Sequence, residues 1–263
     1  MFEFFKGISR LRKSWTVSVL ILLCLGGVAR SEWSLDSSKA HYGTGVTYVE
    51  KKITNAREGG DRLVHLVLVN SRQCTLRVVD NPAGKLSLAS AMEGNNCLAG
   101  VNGGYFRSDF SPIGLVIGNG RQIHSLEHGK LISGVVVVSK GRVALLRIGE
   151  FKPAPSITEA LQSGPFLIDR GRPVQGLNAS KRADRTVVIS DGKGGFGLLM
   201  VESVSLAEMA QILANPQIFP ELKISRALNL DGGSSSGIWM REPPVYQREL
   251  KTVRDFLSVI ARK

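Results

Sequence analysis

Acidic side chains are scarce in this sequence. Its 263 residues hold 22 Asp and Glu against 34 Lys and Arg, a formal charge of +12. The bases are nevertheless scattered, and the densest cluster, Lys181-Arg182 with Arg185, is interrupted by Asp184. Aromatic residues make up only 6% of the chain. No basic groove interleaved with aromatics is present, so a nucleic-acid partner is not expected. With four histidines, none at ligand spacing from a cysteine, a zinc site is not expected either. Cysteines number three, and the chain has only one long apolar run, Trp15 to Val28, shorter than the ~20 residues a membrane span needs.

That run follows Lys6, Arg10, Arg12 and Lys13, and Gly27 and Ala29 at its end have the spacing signal peptidase prefers. Residues 1–29 therefore have the layout of a secretory signal peptide cleaved before Arg30, or else of an uncleaved N-terminal anchor. Either reading implies a periplasmic or secreted protein, touching a membrane only if the segment stays attached. Residues 30–45, polar and glycine-containing, are expected to be a loosely held leader. No linker composition follows, so residues 46–263 are expected to form one domain. Cys24 belongs to the apolar run, which leaves Cys74 and Cys97. In an oxidising compartment these are either a disulfide, stabilising by about 3–4 kcal/mol in the chain-entropy model, or two buried thiols.

What is abundant is short apolar segments punctuated by turns. Val46 to Val49, Leu63 to Val69 and Cys74 to Val79 have strand character, the last two as a hairpin. Ser87 to Met92 is expected to be a short helix, and Ile157 to Gln162 a single helical turn. Lys140-Gly141, Asp169-Arg170-Gly171 and Asp191-Gly192 mark hairpins. Ser205 to Leu213 is the clearest helix. Ser205 can cap it and Glu208 can complete a capping box, while Leu206, Met209, Ala210 and Leu213 share one face. The sum is an α+β class fold, a single β-rich domain of hairpins with mixed or antiparallel sheet and few helices.

One stretch stands out, Ala227-Leu228-Asn229-Leu230-Asp231-Gly232-Gly233-Ser234-Ser235-Ser236. A buried strand delivers a carboxylate, two bare glycines and three hydroxyls. Such a turn can cradle an anion through successive amides, or it can be a plain Asp-Gly turn between strands. Leu98-Ala99-Gly100-Val101 leads into Asn102-Gly103-Gly104-Tyr105-Phe106, the same pattern of strand, Asx and two glycines.

Taken in order, Val101 to Phe106 with Pro112 and Gly114, Ser163-Gly164-Pro165, Arg185-Thr186, Leu206 to Ala210, and Leu228 to Ser235 resemble the phosphodiester glycosidase family, to which the "uncovering enzyme" belongs. The resemblance covers about residues 60–260. It implies hydrolysis of the bond between a sugar's anomeric carbon and a phosphate, in an envelope or exopolysaccharide-type substrate. A phosphorylated carbohydrate or glycopolymer would then be the partner. Asp231 would attack or activate water against an oxocarbenium-like state. Because phosphate leaves readily, a protonating acid is less essential than with an alcohol. Arg185 would neutralise the phosphate, aided by the amides of Gly103, Gly104, Gly232 and Gly233. Asn102 would bond sugar hydroxyls or hold Asp231, and Asn229, Ser234 and Ser235 adjoin the substrate. Tyr105 would stack on sugar or simply pack. Glu208 is the second candidate carboxylate, with helix capping as its other reading. No cofactor is implied. Asp231 and its serines offer oxygen ligands of the kind Ca²⁺ or Mg²⁺ takes, but without a spaced carboxylate loop. The chain departs from the family at Ser234, where a third glycine is usual, at Asp184, where a proline is common, and at Lys251 and Asp255, where Arg and Asn are common. The contrasting reading is a non-catalytic glycan-binding protein on the same fold.

Overall fold

The computed structural model describes residues 32–262. β1 (Trp33–Gly43), β2 (Val46–Asn55) and β3 (Asp61–Val69) make an antiparallel meander. β4 (Cys74–Asp80), α1 (Leu88–Gly94) and β5 (Ala99–Asn102) follow, then β6 (Val116–Gly118) and β7 (Arg121–His124). Next come β8 (Gly134–Ser139), β9 (Arg142–Arg147) and β10 (Ile157–Ser163), the hairpin pair β11 (Phe166–Asp169) and β12 (Arg172–Pro173), and the pair β13 (Ala183–Ser190) and β14 (Phe196–Val204). The chain ends with α2 (Leu206–Ala214), β15 (Arg226–Asn229), β16 (Ile238–Met240), β17 (Val245–Gln247) and β18 (Asp255–Ala261).

These strands form three sheets, ordered β1-β2-β3-β14-β13-β15-β11-β12, β7-β6-β10-β8-β9 and β17-β16-β5-β18-β4. All pairings among the described strands are antiparallel. One core lies between the sheets, with Val67, Val188 and Leu228 from the first, Val136 and Leu161 from the second, and Val101 and Leu257 from the third. A second core covers the other face of the large sheet, where Met209, Ala210 and Leu213 of α2 pack on Val187, Ile189 and Leu199. Burial on both faces explains why Val187-Val188-Ile189 is an unbroken apolar run rather than an alternating one. Each such side chain contributes about 1.5–3 kcal/mol by leaving water. α2 carries the expected capping box, with the Ser205 hydroxyl accepting from the Glu208 amide and the Glu208 carboxylate from the Ser205 amide.

Three expectations are corrected, and the open alternative at the cysteines is decided. Residues 33–43 are not a loose leader but β1, paired with β2 along its length apart from a bulge at Asp36. An edge strand needs only one buried anchor, here Trp33, and its polar residues face solvent. Ile157 to Gln162 is not a helical turn but the centre of β10, between β6 and β8. Its polar residues misled because they are buried with internal partners: Glu159 accepts from the amides of Val78 and Asn119, and Gln162 from those of Leu115 and Glu127. β3 and β4 are not a hairpin, since β3 pairs with β2 and β14 while β4 pairs with β18, and the connection at residues 70–73 switches sheets. Cys74 and Cys97 are both free and buried. Cys74 packs in the core between the sheets, whereas Cys97 packs with Leu88, Met92 and Phe256 in a separate cluster under α1. Burial raises the pKa of both thiols, which keeps them protonated and inert. The N-terminal signal or anchor falls outside the described residues. Among those residues no helix is long and apolar enough to cross a membrane.

Candidate functional site

The two glycine turns meet. β5 ends at Asn102 and β15 at Asn229, and the Asp231 amide donates to the Gly103 carbonyl at 3.1 Å. Asn102 is fully buried and acts as a staple rather than as a substrate contact. Its Nδ2 donates to the Asp231 carbonyl at 2.8 Å, and its Oδ1 accepts from Thr186 Oγ1 at 2.7 Å and the Gly237 amide at 3.2 Å. The Asp231 main chain is thereby held at both its amide and its carbonyl by Asn102-Gly103, with Asn102 itself anchored by Thr186 and Gly237, leaving the half-buried carboxylate to project from a strand end. Its Oδ1 accepts from the Gly232 amide at 2.9 Å. Burial raises the Asp231 pKa, while the Ser235 hydroxyl, the Gly232 amide and Lys251 oppose the rise. The Ser235 hydroxyl does so without a well-aimed hydrogen bond of its own.

Tyr105 stands close enough to feel this carboxylate, and Tyr105 and Arg185 feel each other. The phenol donates to the Gly164 carbonyl at 2.8 Å and accepts from Asn229 Nδ2 at 3.0 Å, so Asn229, itself fully buried, positions Tyr105. Burial and Asp231 push the phenol up to about 12, where it stays neutral. Arg185 is 8% exposed. Its Nε donates to the Val204 carbonyl at 3.1 Å and Nη2 to the Lys181 carbonyl at 2.7 Å. Nη1 lies 3.5 Å from where a Cβ on Gly232 would be, which turns one edge of the guanidinium toward the Asp231 turn. Burial lowers the Arg185 pKa, though an arginine remains charged across the working range. Lys251 lies over the Phe106 ring at 5.1 Å, and its amide donates to the Ser234 carbonyl.

The glycines earn their positions by space more than by twist. Of the four, only Gly233 has a left-handed φ, +63°. At Gly103 a Cβ would sit 1.9 Å from Asp255 Oδ1, and at Gly232 3.0 Å from the Asp184 carbonyl. The amides of Gly103 and Gly104 are not free for an anion, because they donate to the backbone oxygen and Oδ1 of Asp255 at 2.9 and 2.8 Å. That corrects the expectation of two amide cradles. Ser234 is exposed beside the turn, whereas Ser235 is buried.

Glu208 does not join this group. One of its oxygens accepts from the Ser205 amide at 2.7 Å and the other from Arg182 at 2.5 Å, so capping and an ion pair occupy it. The residue that sequence reasoning undervalued is Asp255. It is 1% exposed, its Oδ2 has no protein partner, and its pKa is raised to about 6, mainly by burial. The only signal was its departure from the family pattern. Asn229 Oδ1, Ser235 Oγ and Ser163 Oγ are likewise buried without a protein partner, so polar atoms left over from folding gather around this turn. Among the described residues no group of three or more His, Cys, Asp or Glu is arranged as a metal ligand set. A carboxylate on a rigid strand end, flanked by two cations and a neutral phenol, can stabilise positive charge on a carbon and negative charge on the group leaving it.

Residues 95–260 match the family model for phosphodiester glycosidase. Over 78 residues the chain is 35% identical to YigE of Escherichia coli (strain K12), a match spanning 27% of this chain and 31% of that protein, less than a third of its length. Among solved structures, the catalytic domain of zebrafish N-acetylglucosamine-1-phosphodiester alpha-N-acetylglucosaminidase superposes with a TM-score of 0.61 at 17% identity, covering 86% of this chain and 88% of that one. A hypothetical protein from Synechocystis gives 0.60 at 17% identity, covering 86% of this chain and 64% of that one.

Proposed function

Because this chain belongs to the phosphodiester glycosidase family, we propose that it hydrolyses a sugar-1-phosphodiester at the bond between the anomeric carbon and oxygen, with Asp231 as the reacting carboxylate. The observation that carries the reading is the placement of Asp231. It lies at the end of a buried strand, stapled by Asn102, with Arg185 and Lys251 within electrostatic reach of the same turn.

Asp231 must be ionised to work. Burial raises its pKa, so activity rises as pH climbs through that value, and Lys251, the Gly232 amide and Ser235 keep the value from climbing further. The ionised carboxylate then attacks the anomeric carbon or takes a proton from water beside it. The departing group is a phosphate monoester, which already bears negative charge and needs no proton donor as an alkoxide would. What it needs is cations, and Arg185 with Lys251 supplies them. Tyr105, held neutral by the Gly164 carbonyl and Asn229, contributes an aromatic wall and a fixed hydroxyl. Glu208 takes no part. The sugar class we propose is an N-acetylhexosamine, after the substrate for which the zebrafish enzyme is named. The proposed setting is outside the cytoplasm, supported by the basic and apolar N-terminal segment, and the proposed substrate is an envelope or exopolysaccharide-type phosphodiester.

The test is release of free sugar from a GlcNAc-1-phosphodiester panel, followed by mass spectrometry. Asp231→Asn keeps the fold by circular dichroism and lowers turnover roughly a hundred- to ten-thousand-fold. No release by the unaltered protein, or an Asp231→Asn variant as active as its parent, overturns the proposal.

A further inference from the structure

At the other end of β15 lies a cavity that the chemistry above does not use. β15 starts at Arg226, and five extended residues at ~3.3 Å each place Arg226 about 17 Å from Asp231. There the ends of all three sheets converge on a cavity of about 900 Å³. That volume lies within the range of small-ligand sites, about 300–1,000 Å³. Five cations line it: Arg72 from the β3–β4 connection, Arg142 on β9, Lys193 in the β13–β14 turn, Arg226, and Arg262 just after β18. No Asp or Glu lines it among the described residues.

The five divide by what holds them. Arg226 is spoken for, paired with Glu150 at 2.5 and 2.7 Å and with Asp169 at 3.1 Å. Arg262 donates from Nε to the Cys74 carbonyl at 3.0 Å and from Nη2 to the Gly141 carbonyl, with no carboxylate partner. Arg72, Arg142 and Lys193 are exposed and make no ion pair among the described residues. Four positive charges therefore face one concavity without neutralisation. Like charges repel by roughly 1 kcal/mol at about 4 Å in water and by less farther apart, a cost an anion removes. The lining also brings hydroxyls from Ser71 and Ser225 and the flexible backbone of Gly192 and Gly194.

We infer that this cavity is a second anion-binding site, separate from the Asp231 turn, for a ligand carrying several closely spaced phosphates. A single phosphate would leave most of the charge unanswered. A chain of phosphates matches the number of the cations, and the guanidinium groups of Arg72, Arg142 and Arg262 suit phosphate oxygens. The ligand is either a free oligophosphate or a stretch of phosphate-linked glycan; both present the same chemistry.

Isothermal calorimetry with inorganic tripolyphosphate tests the inference on the full chain. The expected result is saturable 1:1 binding that weakens with salt, and that the combined variant Arg72→Gln, Arg142→Gln, Lys193→Gln weakens about tenfold or more, as screened charge pairs predict. Removing three exposed charges elsewhere, Lys39→Gln, Lys85→Gln and Lys152→Gln, is expected to change affinity by no more than about twofold. Asp231→Asn is expected to bind as the parent does, which separates this site from the proposed catalytic one. A synthetic trimer of sugar-1-phosphate units forms the second arm, and whichever of the two probes binds tighter identifies the source. Absence of saturable binding to both probes overturns the inference, as does an equal loss in the two triple variants or a loss on Asp231→Asn.

Discussion

Replacing Asp255 by Asn isolates the titration of one buried carboxyl. The side chain is 1% exposed, Oδ1 accepts the Gly104 amide at 2.8 Å, and Oδ2 has no protein partner. Burial dominates its raised pKa, with Asp80 and Asp231 adding to it and the Gly104 amide and Arg254 opposing it. The value moves from 3.8 unfolded to about 6 folded. A shift of roughly 2 units at about 1.36 kcal/mol each corresponds to about 3 kcal/mol. The sign follows from the direction. The folded protein holds this proton more tightly than the unfolded chain, so stability is greatest below about pH 4 and falls as pH rises to about 6, levelling off above it. In Asp255→Asn the amide keeps the acceptor for Gly104 and has no proton to lose. Any constant cost of placing Nδ2 where Oδ2 has no partner is the same at every pH and drops out of the comparison. The variant should therefore gain on its parent by about 2.4 kcal/mol of that total between pH 4 and pH 7, equivalent to roughly 5–10 °C in melting temperature for a domain of this size. Urea unfolding of both proteins at unit pH intervals from 4 to 8 measures it. Parallel stability curves would show that Asp255 does not titrate with a raised pKa, and the reasoning from its burial would fail.

Glu208→Ala should cost about 1 kcal/mol of stability through loss of the capping box and leave kcat unchanged; a large fall in kcat at intact fold would restore Glu208 to the active site. Arg185→Lys keeps the charge but loses the donors to the Val204 and Lys181 carbonyls, and should lower kcat/KM about tenfold or more, as steady-state kinetics on a phosphodiester substrate would show. Gly103→Ala drives a methyl into Asp255 and should destabilise by about 1–3 kcal/mol in thermal melts, with Asp255→Asn failing to relieve it because the backbone oxygen of Asp255 is also too close. Alkylation of the unreduced protein should label Cys74 and Cys97 only after denaturation; a linked Cys74–Cys97 peptide in the mass spectrum would contradict the two separate cores.

The strands and turns were readable where local chemistry decides them. Lys140-Gly141 forms its hairpin because both residues adopt left-handed φ, and Ser205 with Glu208 caps α2 as their spacing demands. Asp231 was legible because a strand, a carboxylate and two glycines adjoin in sequence. What the sequence concealed was partnership over distance. Asn102 read equally as a ligand for sugar hydroxyls or as a support for Asp231, and its bonds to Thr186, Gly237 and the Asp231 carbonyl place it in the second role. The amides of Gly103 and Gly104 looked free until Asp255, some 150 residues away, was seen to take them. β1 and β10 were misjudged for a related reason, since polar residues in strands depend on neighbours that a linear reading does not supply.

The Asn102 amide has a consequence for how the domain comes into being. Its three bonds reach 84, 129 and 135 residues along the chain. No short contiguous fragment therefore contains all of these partners, since they run from Asn102 to Gly237, and β5, β13, β15 and the turn before β16 must all be docked before Asp231 has a fixed backbone. Loop closures of that length are costly and come late in folding. Turnover of a phosphodiester would thus report completion of the whole fold, and a partly denatured population should lose activity in proportion to the molecules unfolded, with no partially working species between.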